Sequence, residues 1–453
     1  MSKRLFGTDG IRGRVNQGAI KPANFVRFGE ALGAVLRQYG DDAPRVLIGR
    51  DTRASGHMIE AAILSGLVNA GVHAETCGVL PTPAIGYLTR EYGYSAGLMI
   101  TASHNPVPDN GVKVFGSDGF KLSGSLQDEI ERFIHTDEDL HVDVTEMHSP
   151  IAQVGYQEAY ARFAAKSIGD VSLSGMSICL DAANGAGAGI AAELFERLGA
   201  RVTALGVEPD GRNINLDCGA LHPETLGEAV LRTGADIGLA FDGDADRIIL
   251  VDEAGETIDG DQIMGAIGLD FHERSALQGG AVVATIMSNL GLEAALSEKG
   301  IKLERTAVGD RYVVQRMREG GFNVGGEQSG HVVLSDFVTT GDAIISALQI
   351  LAIMKRKGQK ASDVLNVFTP VPQVLKNVRY GESDPLDSAH IQDRIDAIRE
   401  KLGRTGRLVI RKSGTEPVIR VMVEAYDPDL AESSVDDLIG EITSLVEKEG
   451  SAS

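Results

Sequence analysis

Short apolar runs alternate with longer stretches of helical spacing along most of this chain, and the alternation begins afresh three times. Residues 20–40 read as a helix opened by Lys21-Pro22, and 45–49 as a buried strand. A helix at 55–70 follows, with Met58, Ala61, Ala62, Ser65 and Val68 at helical spacing, then a strand at 72–77 and a helix at 83–92. Beyond a polar, acidic stretch at 136–149 the pattern resumes, with strands at 177–180, 201–205 and 236–241 around helices at 189–199 and 223–233. A third round places strands at 280–285 and 322–325 and helices at 291–300 and 310–319. Strand, helix and strand in succession make a helix-covered sheet with parallel neighbours, so the expected fold class is α/β. Past Pro370 and Pro372 the order changes to an extended segment at 374–380, a helix at 389–402, strands at 406–411 and 418–426, and a closing helix at 430–447. The expectation is three consecutive α/β domains with mixed or parallel sheets (1–153, 154–256 and 257–369) and a C-terminal α+β domain (370–453), arranged around one central cleft.

The cleft is inferred from four polar loops. In the first round the apolar run 96–100 reads as a strand buried on both faces and breaks into Thr101-Ala102-Ser103-His104-Asn105-Pro106. Pro106 disfavours a helix across Asn105, so Ser103 sits on a tight loop past the carboxyl end of a strand, where open α/β sheets hold their ligands. For a lone serine the plainer reading is an ordinary turn. The second round ends its last strand with Phe241-Asp242-Gly243-Asp244-Ala245-Asp246-Arg247. Asp242, Asp244 and Asp246, separated by the smallest residues, can curl around one hard cation, and an incomplete protein cage of this kind suits magnesium shared with a phosphate oxygen. A calcium EF-hand is excluded by Arg247 at the position that needs glycine and by strands on both flanks; an acidic solvated turn is the bland alternative.

The third round ends with Gly325-Gly326-Glu327-Gln328-Ser329-Gly330-His331, where Glu327, Ser329 and His331 suit the vicinal hydroxyls of a sugar, although a glycine-rich turn has the same look. In the tail, Arg411-Lys412-Ser413-Gly414-Thr415-Glu416-Pro417 with Arg420 combines an anion nest, two hydroxyls and two arginines. One shared site explains four such strand ends better than four unrelated turns.

Composition narrows the partners. The net charge is −21, which argues against binding nucleic acid or an anionic membrane, so an anionic ligand must be met by local positive charge. Cys77, Cys179 and Cys218 lie far apart without a CxxC, excluding a disulfide scaffold and a cysteine-based zinc site. The first residues carry no apolar core of a signal peptide, and the apolar run at 343–354 is too short to span a bilayer, so a cytoplasmic location is expected.

Residues 101–106, 242–247, 326–331 and 411–417 resemble, in the same order, the four signature loops of the α-D-phosphohexomutase superfamily. Phe6-Gly7-Thr8-Asp9-Gly10-Ile11-Arg12-Gly13, Gly309-Asp310-Arg311-Tyr312 and Gly326-Glu327-Gln328-Ser329 are similar to its bacterial amino-sugar branch. Ala245 departs from the glycine more common there, and Gln328 from the Glu or Met of glucose and mannose mutases. The resemblance implies that Ser103 is carried as phosphoserine and interconverts glucosamine 6-phosphate and glucosamine 1-phosphate through a hexosamine 1,6-bisphosphate, upstream of UDP-N-acetylglucosamine and cell-wall polymers. Glucose or mannose phosphates are the alternative substrates. It further implies one Mg2+ held by Ser103, Asp242, Asp244 and Asp246, and a phosphate clamp of Arg411, Ser413, Gly414, Thr415 and Arg420. Arg12, Lys113 and Arg247 are the implied cations near the transferred group, and Lys113 or His104 the implied acid or base. A monomer or homodimer with a small phosphosugar as partner is expected. Two readings compete. A dinucleotide site at 181–190 fails because Ile190 stands where the last glycine of GxGxxG belongs, and a non-catalytic sugar-phosphate sensor sits poorly with a serine beside three aspartates.

Overall fold

The structure, a computed structural model, describes residues 4–7, 9–39, 43–136, 138–381, 384–412 and 417–450. The chain divides into two compact units, residues 1–285 with 304–366, and residues 286–303 with 367–453.

The first sheet is built from β1 (Ile11–Arg14), β2 (Arg45–Arg50), β3 (His73–Val79), β4 (Ala96–Ile100), β5 (Asp109–Gly116) and β6 (Ile151–Ala152). Its strand order is β1-β5-β4-β2-β3-β6, and α1 (Pro22–Gln38), α2 (Gly56–Asn69), α3 (Thr82–Glu91) and α4 (Gly124–Ile134) connect these strands in sequence. Pro22 at the first turn of α1 has no N–H to leave unsatisfied, which is why the helix starts there. Phe25, Phe28 and Leu32 of α1 join Ile59 and Ile63 of α2 and Val46 and Ile48 of β2 in one buried core.

After α5 (Tyr156–Lys166), the second sheet takes β7 (Ser177–Asp181), β8 (Arg201–Leu205), β9 (Ile237–Phe241), β10 (Ile248–Val251) and β11 (Thr257–Ile258), in the order β11-β10-β9-β7-β8, with α6 (Ala191–Arg197) and α7 (Glu224–Thr233) as crossovers. Next in the chain come α8 (Gly260–Glu273), β12 (Ala281–Thr285), α9 (Leu290–Glu298), β13 (Lys302–Thr306), α10 (Asp310–Gly320), β14 (Val324–Gly326), β15 (Val332–Leu334), α11 (Ala343–Lys357) and α12 (Ala361–Leu365). The third sheet runs β13-β12-β14-β15. Residues 343–354 of α11 are all buried, so the apolar run is a core helix; among the described residues no helix is long and apolar enough to cross a membrane.

The sheets are mixed. β2 is parallel to β3 and β4, β7 to β8 and β9, and β12 to β14, as strand–helix–strand succession requires. Each sheet then adds an antiparallel partner: β5 on β4, β10 on β9 and β15 on β14. The three loops singled out in this unit are the connections of those antiparallel pairs, so they occupy equivalent places in three similar layers. The helix expected at 189–199 is confined to α6. Gly189 and Ile190 stay in a turn, with Ile190 N–H on the Gly187 carbonyl (3.2 Å); just before it, Ala186 N–H donates to the Gly243 carbonyl (2.8 Å) and a Cβ on Gly185 would lie 2.3 Å from the same oxygen. The glycines of the apparent dinucleotide fingerprint therefore pack against the aspartate loop.

The second unit has its own three-stranded antiparallel sheet, β16-β18-β17, from β16 (Gln373–Arg379), β17 (Gly406–Lys412) and β18 (Val418–Ala425). Ile391, Ile395 and Ile398 of α13 (Ala389–Leu402) and Val435, Leu438 and Ile442 of α14 (Pro428–Gly450) bury one face of it. This is the α+β order expected of the tail.

Candidate active site

Ser103 stands in the left-handed region (φ +54°), a conformation that costs a residue with a side chain about 1–2 kcal/mol and persists only where surroundings impose it. The surroundings are identifiable. Ser103 N–H donates to Thr101 Oγ1 (2.8 Å), whose hydroxyl donates to Asp51 Oδ2 (2.8 Å). Arg53, fully buried, pairs with Asp51 through Nε (2.9 Å) and donates to the carbonyls of Ser103 (3.0 Å), Asn105 (2.7 Å), Pro106 (2.8 Å) and Asp109 (3.1 Å). Asn215 Nδ2 also donates to the Ser103 and Asn105 carbonyls, at 2.8 and 3.1 Å. The carbonyls of Ser103, Asn105, Pro106 and Asp109, turned away from regular structure, thus each find a donor.

Held in this way, Ser103 Oγ donates to Asp242 Oδ2 at 2.6 Å and lies 3.4 Å from His104 Nδ1. Asp242, Asp244 and Asp246 form the turn between β9 and β10, all three buried, with one carboxylate oxygen of each within 4.8 Å of the others. Gly243 is required by contact: a Cβ there would lie 2.7 Å from the Ser103 carbonyl oxygen and 2.8 Å from Asn215 Nδ2. Ala245 has φ +55°, which accounts for the glycine favoured at this place and leaves the ligand residues where they are.

Lys113, on β5 and almost wholly buried, donates to Asp244 Oδ2 (2.7 Å) and Asp246 Oδ2 (2.5 Å). Thr82 at the start of α3 also donates through Oγ1 to Asp244 Oδ2 (2.5 Å), and through its backbone N–H to the Asp244 carbonyl (2.9 Å). Burial and the neighbouring Asp246 and Asp244 carboxylates raise Asp242 well above the usual carboxylate range. Burial would also raise Asp246, but Lys113, His331 and Arg247 outweigh it and hold Asp246 low. Burial would lower Lys113, yet Asp244, Asp246 and Asp9 raise it, so it stays an ammonium. His104 is lowered to about 4 by burial and the nearby Arg247 and Arg12 cations, which leaves a neutral imidazole at pH 7. Of the two groups considered for proton transfer, only His104 is in a state to accept one.

The remaining candidate residues of the first unit stand around this centre unequally. Arg12 on β1 pairs with Asp9, and Arg247 Nε lies 4.0 Å from Asp246 Oδ1. His331 Nε2 accepts the Gly341 N–H (3.2 Å) and lies 3.9 Å from Asp246 Oδ2 and 3.7 Å from Asp310 Oδ2. Glu327 Oε1 accepts the Gly309 N–H (3.1 Å), and Ser329 is exposed on the same loop. Gln328 Nε2 donates to Asp259 Oδ2 (3.1 Å), which ties the loop to the N-cap of α8. Arg411 and Arg420 are cross-strand partners on β17 and β18 of the second unit, where Arg420 Nε is buried without a hydrogen-bond partner among the described residues. Ser413, Gly414 and Thr415 lie outside the described residues.

Sequence reasoning missed Asp51, Arg53, Thr82, Asn215 and the ion-paired relay in which Lys121 bridges Asp9 and Asp310. One signal was available: Asp51-Thr52-Arg53 follows β2 as Ser103 follows β4.

The donor set fits a hard divalent cation. Among the described residues Asp244 Oδ1 and Asp246 Oδ1 are buried oxygens without a hydrogen-bond partner, beside a third carboxylate and a serine hydroxyl, and oxygen-only donors are what magnesium takes. Nothing in the set is soft enough to favour zinc.

Comparison with known proteins adds to this geometry. Residues 3–141, 155–255 and 259–371 match the alpha/beta/alpha domains I, II and III of phosphoglucomutase/phosphomannomutase, and 375–441 match its C-terminal domain. A Chelativorans protein named phosphoglucosamine mutase is 49% identical over 444 residues, covering 98% of both chains. A Mesorhizobium japonicum protein of the same name is 48% identical over 441 residues, covering 97% of this chain and 98% of that one. Among solved structures, a phosphoglucomutase/phosphomannomutase family protein from Burkholderia thailandensis superposes with a TM-score of 0.80 at 24% identity, covering 99% of this chain and 98% of the other. Aspergillus fumigatus N-acetylphosphoglucosamine mutase, in complex with GlcNAc-6P and magnesium, shares the fold at a TM-score of 0.65 and 19% identity, covering 98% and 95%.

Proposed function

This chain belongs to the phosphoglucomutase/phosphomannomutase family, and we propose that, like its relatives named phosphoglucosamine mutase, it interconverts glucosamine 6-phosphate and glucosamine 1-phosphate. The observation that carries the reading is Ser103 Oγ set 2.6 Å from Asp242, beside three buried aspartates of which Asp244 and Asp246 share the Lys113 ammonium.

In this proposal Ser103 is phosphorylated and gives its phosphoryl group to the free hydroxyl of the hexosamine monophosphate. The Oγ–P bond breaks, a sugar O–P bond forms, and the product is a hexosamine 1,6-bisphosphate. Return of the other phosphoryl group to Ser103 releases the isomer. Phosphoryl transfer asks for alignment and charge neutralisation more than covalent help. Lys113, Arg12 and Arg247 supply positive charge around Ser103, and the neutral His104 imidazole takes the proton of the attacking hydroxyl. Asp242, Asp244 and Asp246 with Ser103 would hold Mg2+, which when bound neutralises charge on the transferred phosphoryl group. Glu327, Ser329 and His331 are assigned to the sugar hydroxyls. The phosphate that stays behind is assigned to Arg411, Ser413, Gly414, Thr415 and Arg420 on the strength of their chemistry.

The test is a coupled assay of glucosamine, glucose and mannose phosphates with magnesium, together with the intact mass of the protein. We expect one phosphoryl group on Ser103 and the highest kcat/KM for glucosamine phosphate. Equal or faster turnover of the glucose or mannose phosphates would replace this reading with the phosphoglucomutase/phosphomannomutase alternative.

A further inference from the structure

Outside the centre around Ser103, the first unit carries a groove of about 710 Å³ beside β1, lined by Arg4, Arg12, Arg14, Arg27 and His135 and, among its described lining residues, by no carboxylate. Five basic side chains in one concavity stand out on a chain with a net charge of −21, whose overall field repels anions.

These side chains differ in what they have free. Arg27 is engaged: it pairs with Glu30 (3.2 Å) and donates to the carbonyls of Phe133 (2.9 Å), Thr136 (2.8 Å) and Glu138 (3.1 Å). Arg4 shares an exposed ion pair with Asp128 (2.8 Å), the kind worth little in water. Arg14 and His135 make no ion pair among the described residues. Across the ladder from Arg14 stands Asp109, whose carboxylate takes the Asn105 amide (3.0 Å). Arg12 Nε is buried and, among the described residues, has no acceptor.

Arg12 belongs to the groove and to the centre alike. Its guanidinium pairs with Asp9, which also pairs with Lys121 and lies 3.7 Å from Lys113. Arg12 and Arg14 share one face of β1, two residues apart, so their Cα atoms are separated by about 6.6 Å. A phosphate held by Arg14 is within one side-chain length of Arg12.

We propose that this groove is a recruiting site for the phosphate of a small phosphorylated ligand, with Arg14 as its outer anchor and Arg12 as the link to Ser103. The recruiting role rests on the mutase reading; the binding of phosphate does not. Arg14 is a positioning residue in this scheme, acting on encounter and not on the transfer step.

Two experiments test it. Phenylglyoxal modification of Arg14, read by peptide mass, should be slowed severalfold by inorganic phosphate and not by chloride at equal ionic strength. Equal labelling in both salts overturns the site whatever the kinetics show. In the mutase assay, R14E should lower kcat/KM by about three- to tenfold at low salt, with kcat held, and the gap should close as salt screens the charge. R14K should restore the wild-type salt dependence. If R14E matches wild type at every salt concentration, the recruiting role is wrong. If wild-type protein turns over no phosphosugar, the mutase reading is what fails, and the labelling result still decides the groove.

Discussion

Ser103 Oγ and Asp242 Oδ2 meet at 2.6 Å although 139 positions separate them in the chain. The meeting is made by two loops at equivalent edges of two sheets, pressed together where Gly243 has no side chain. Ser103→Ala removes the hydroxyl and leaves a buried site that a methyl group fits. Turnover should fall by about a thousandfold or more, equivalent to about 4 kcal/mol of barrier, with thermal unfolding little changed. The intact mass should lose its phosphoryl group in parallel. Substantial residual mutase flux would refute the covalent route.

Thr82 has no part in the chemistry proposed above, yet its hydroxyl fixes Asp244 from behind. Groups that orient a ligand residue typically affect metal affinity by about 10–100-fold. Thr82→Val keeps the shape of the side chain and deletes the donor. The magnesium concentration for half-maximal activity should rise about tenfold, while kcat at saturating magnesium stays close to wild type. Superimposable magnesium curves would show that Thr82 does not position Asp244.

The parts of this site legible in the sequence were those whose chemistry is local. Asp242, Asp244 and Asp246 announce themselves within five residues, and Ser103 by the abrupt end of an apolar strand. Arg53 could not be found in that way, because its meaning lies in carbonyl oxygens some fifty positions away. The relay from Asp9 through Lys121 to Asp310 is equally non-local. Strand order was hidden for a related reason: β5 looks like one more polar-flanked run, and only its antiparallel pairing with β4 and β1 turns the Ser103 loop into a hairpin connection. The helix at 189–199 was drawn two residues too long at each end, because periodicity registers neither the turn that binds Ile190 N–H to the Gly187 carbonyl (3.2 Å) nor the positive φ of Gly199 (+102°).

Arg53 supports the second prediction about support. Its guanidinium is fully buried and satisfied by Asp51 and four carbonyls. Removing it leaves Asp51, whose carboxyl burial already raises, without its cation, and leaves the Ser103 loop without its main donor. Arg53→Ala should destabilise the protein by about 3–5 kcal/mol, seen as a lower urea midpoint for the first unit. Asp51→Ala in the same background should cost less than it does alone, because the two residues act as a pair. Strict additivity of the two losses would contradict the coupling.

Asp342, which has no role in the chemistry proposed above, offers a test of buried electrostatics. It caps α11, accepting the Ile345 N–H on Oδ1 (2.9 Å) and the Tyr160 hydroxyl on Oδ2 (2.7 Å). Burial raises its carboxyl to about 6, and the hydrogen bonds from Ile345 and Tyr160 only partly offset this. Below about pH 4 the proton is bound in both folded and unfolded chains, so Asp342 is neutral in its effect. Between about pH 4 and 6 the unfolded chain ionises first, and stability falls as pH rises. Above about pH 6 both forms are ionised and a constant penalty remains, on the order of 3 kcal/mol. Asp342→Asn keeps an acceptor for the helix cap and removes the charge. The variant should therefore melt close to wild type at pH 4 and above it at pH 7.5, by the equivalent of about 1–3 kcal/mol. A difference between the two proteins that does not change with pH would mean that the carboxylate is not what burial penalises.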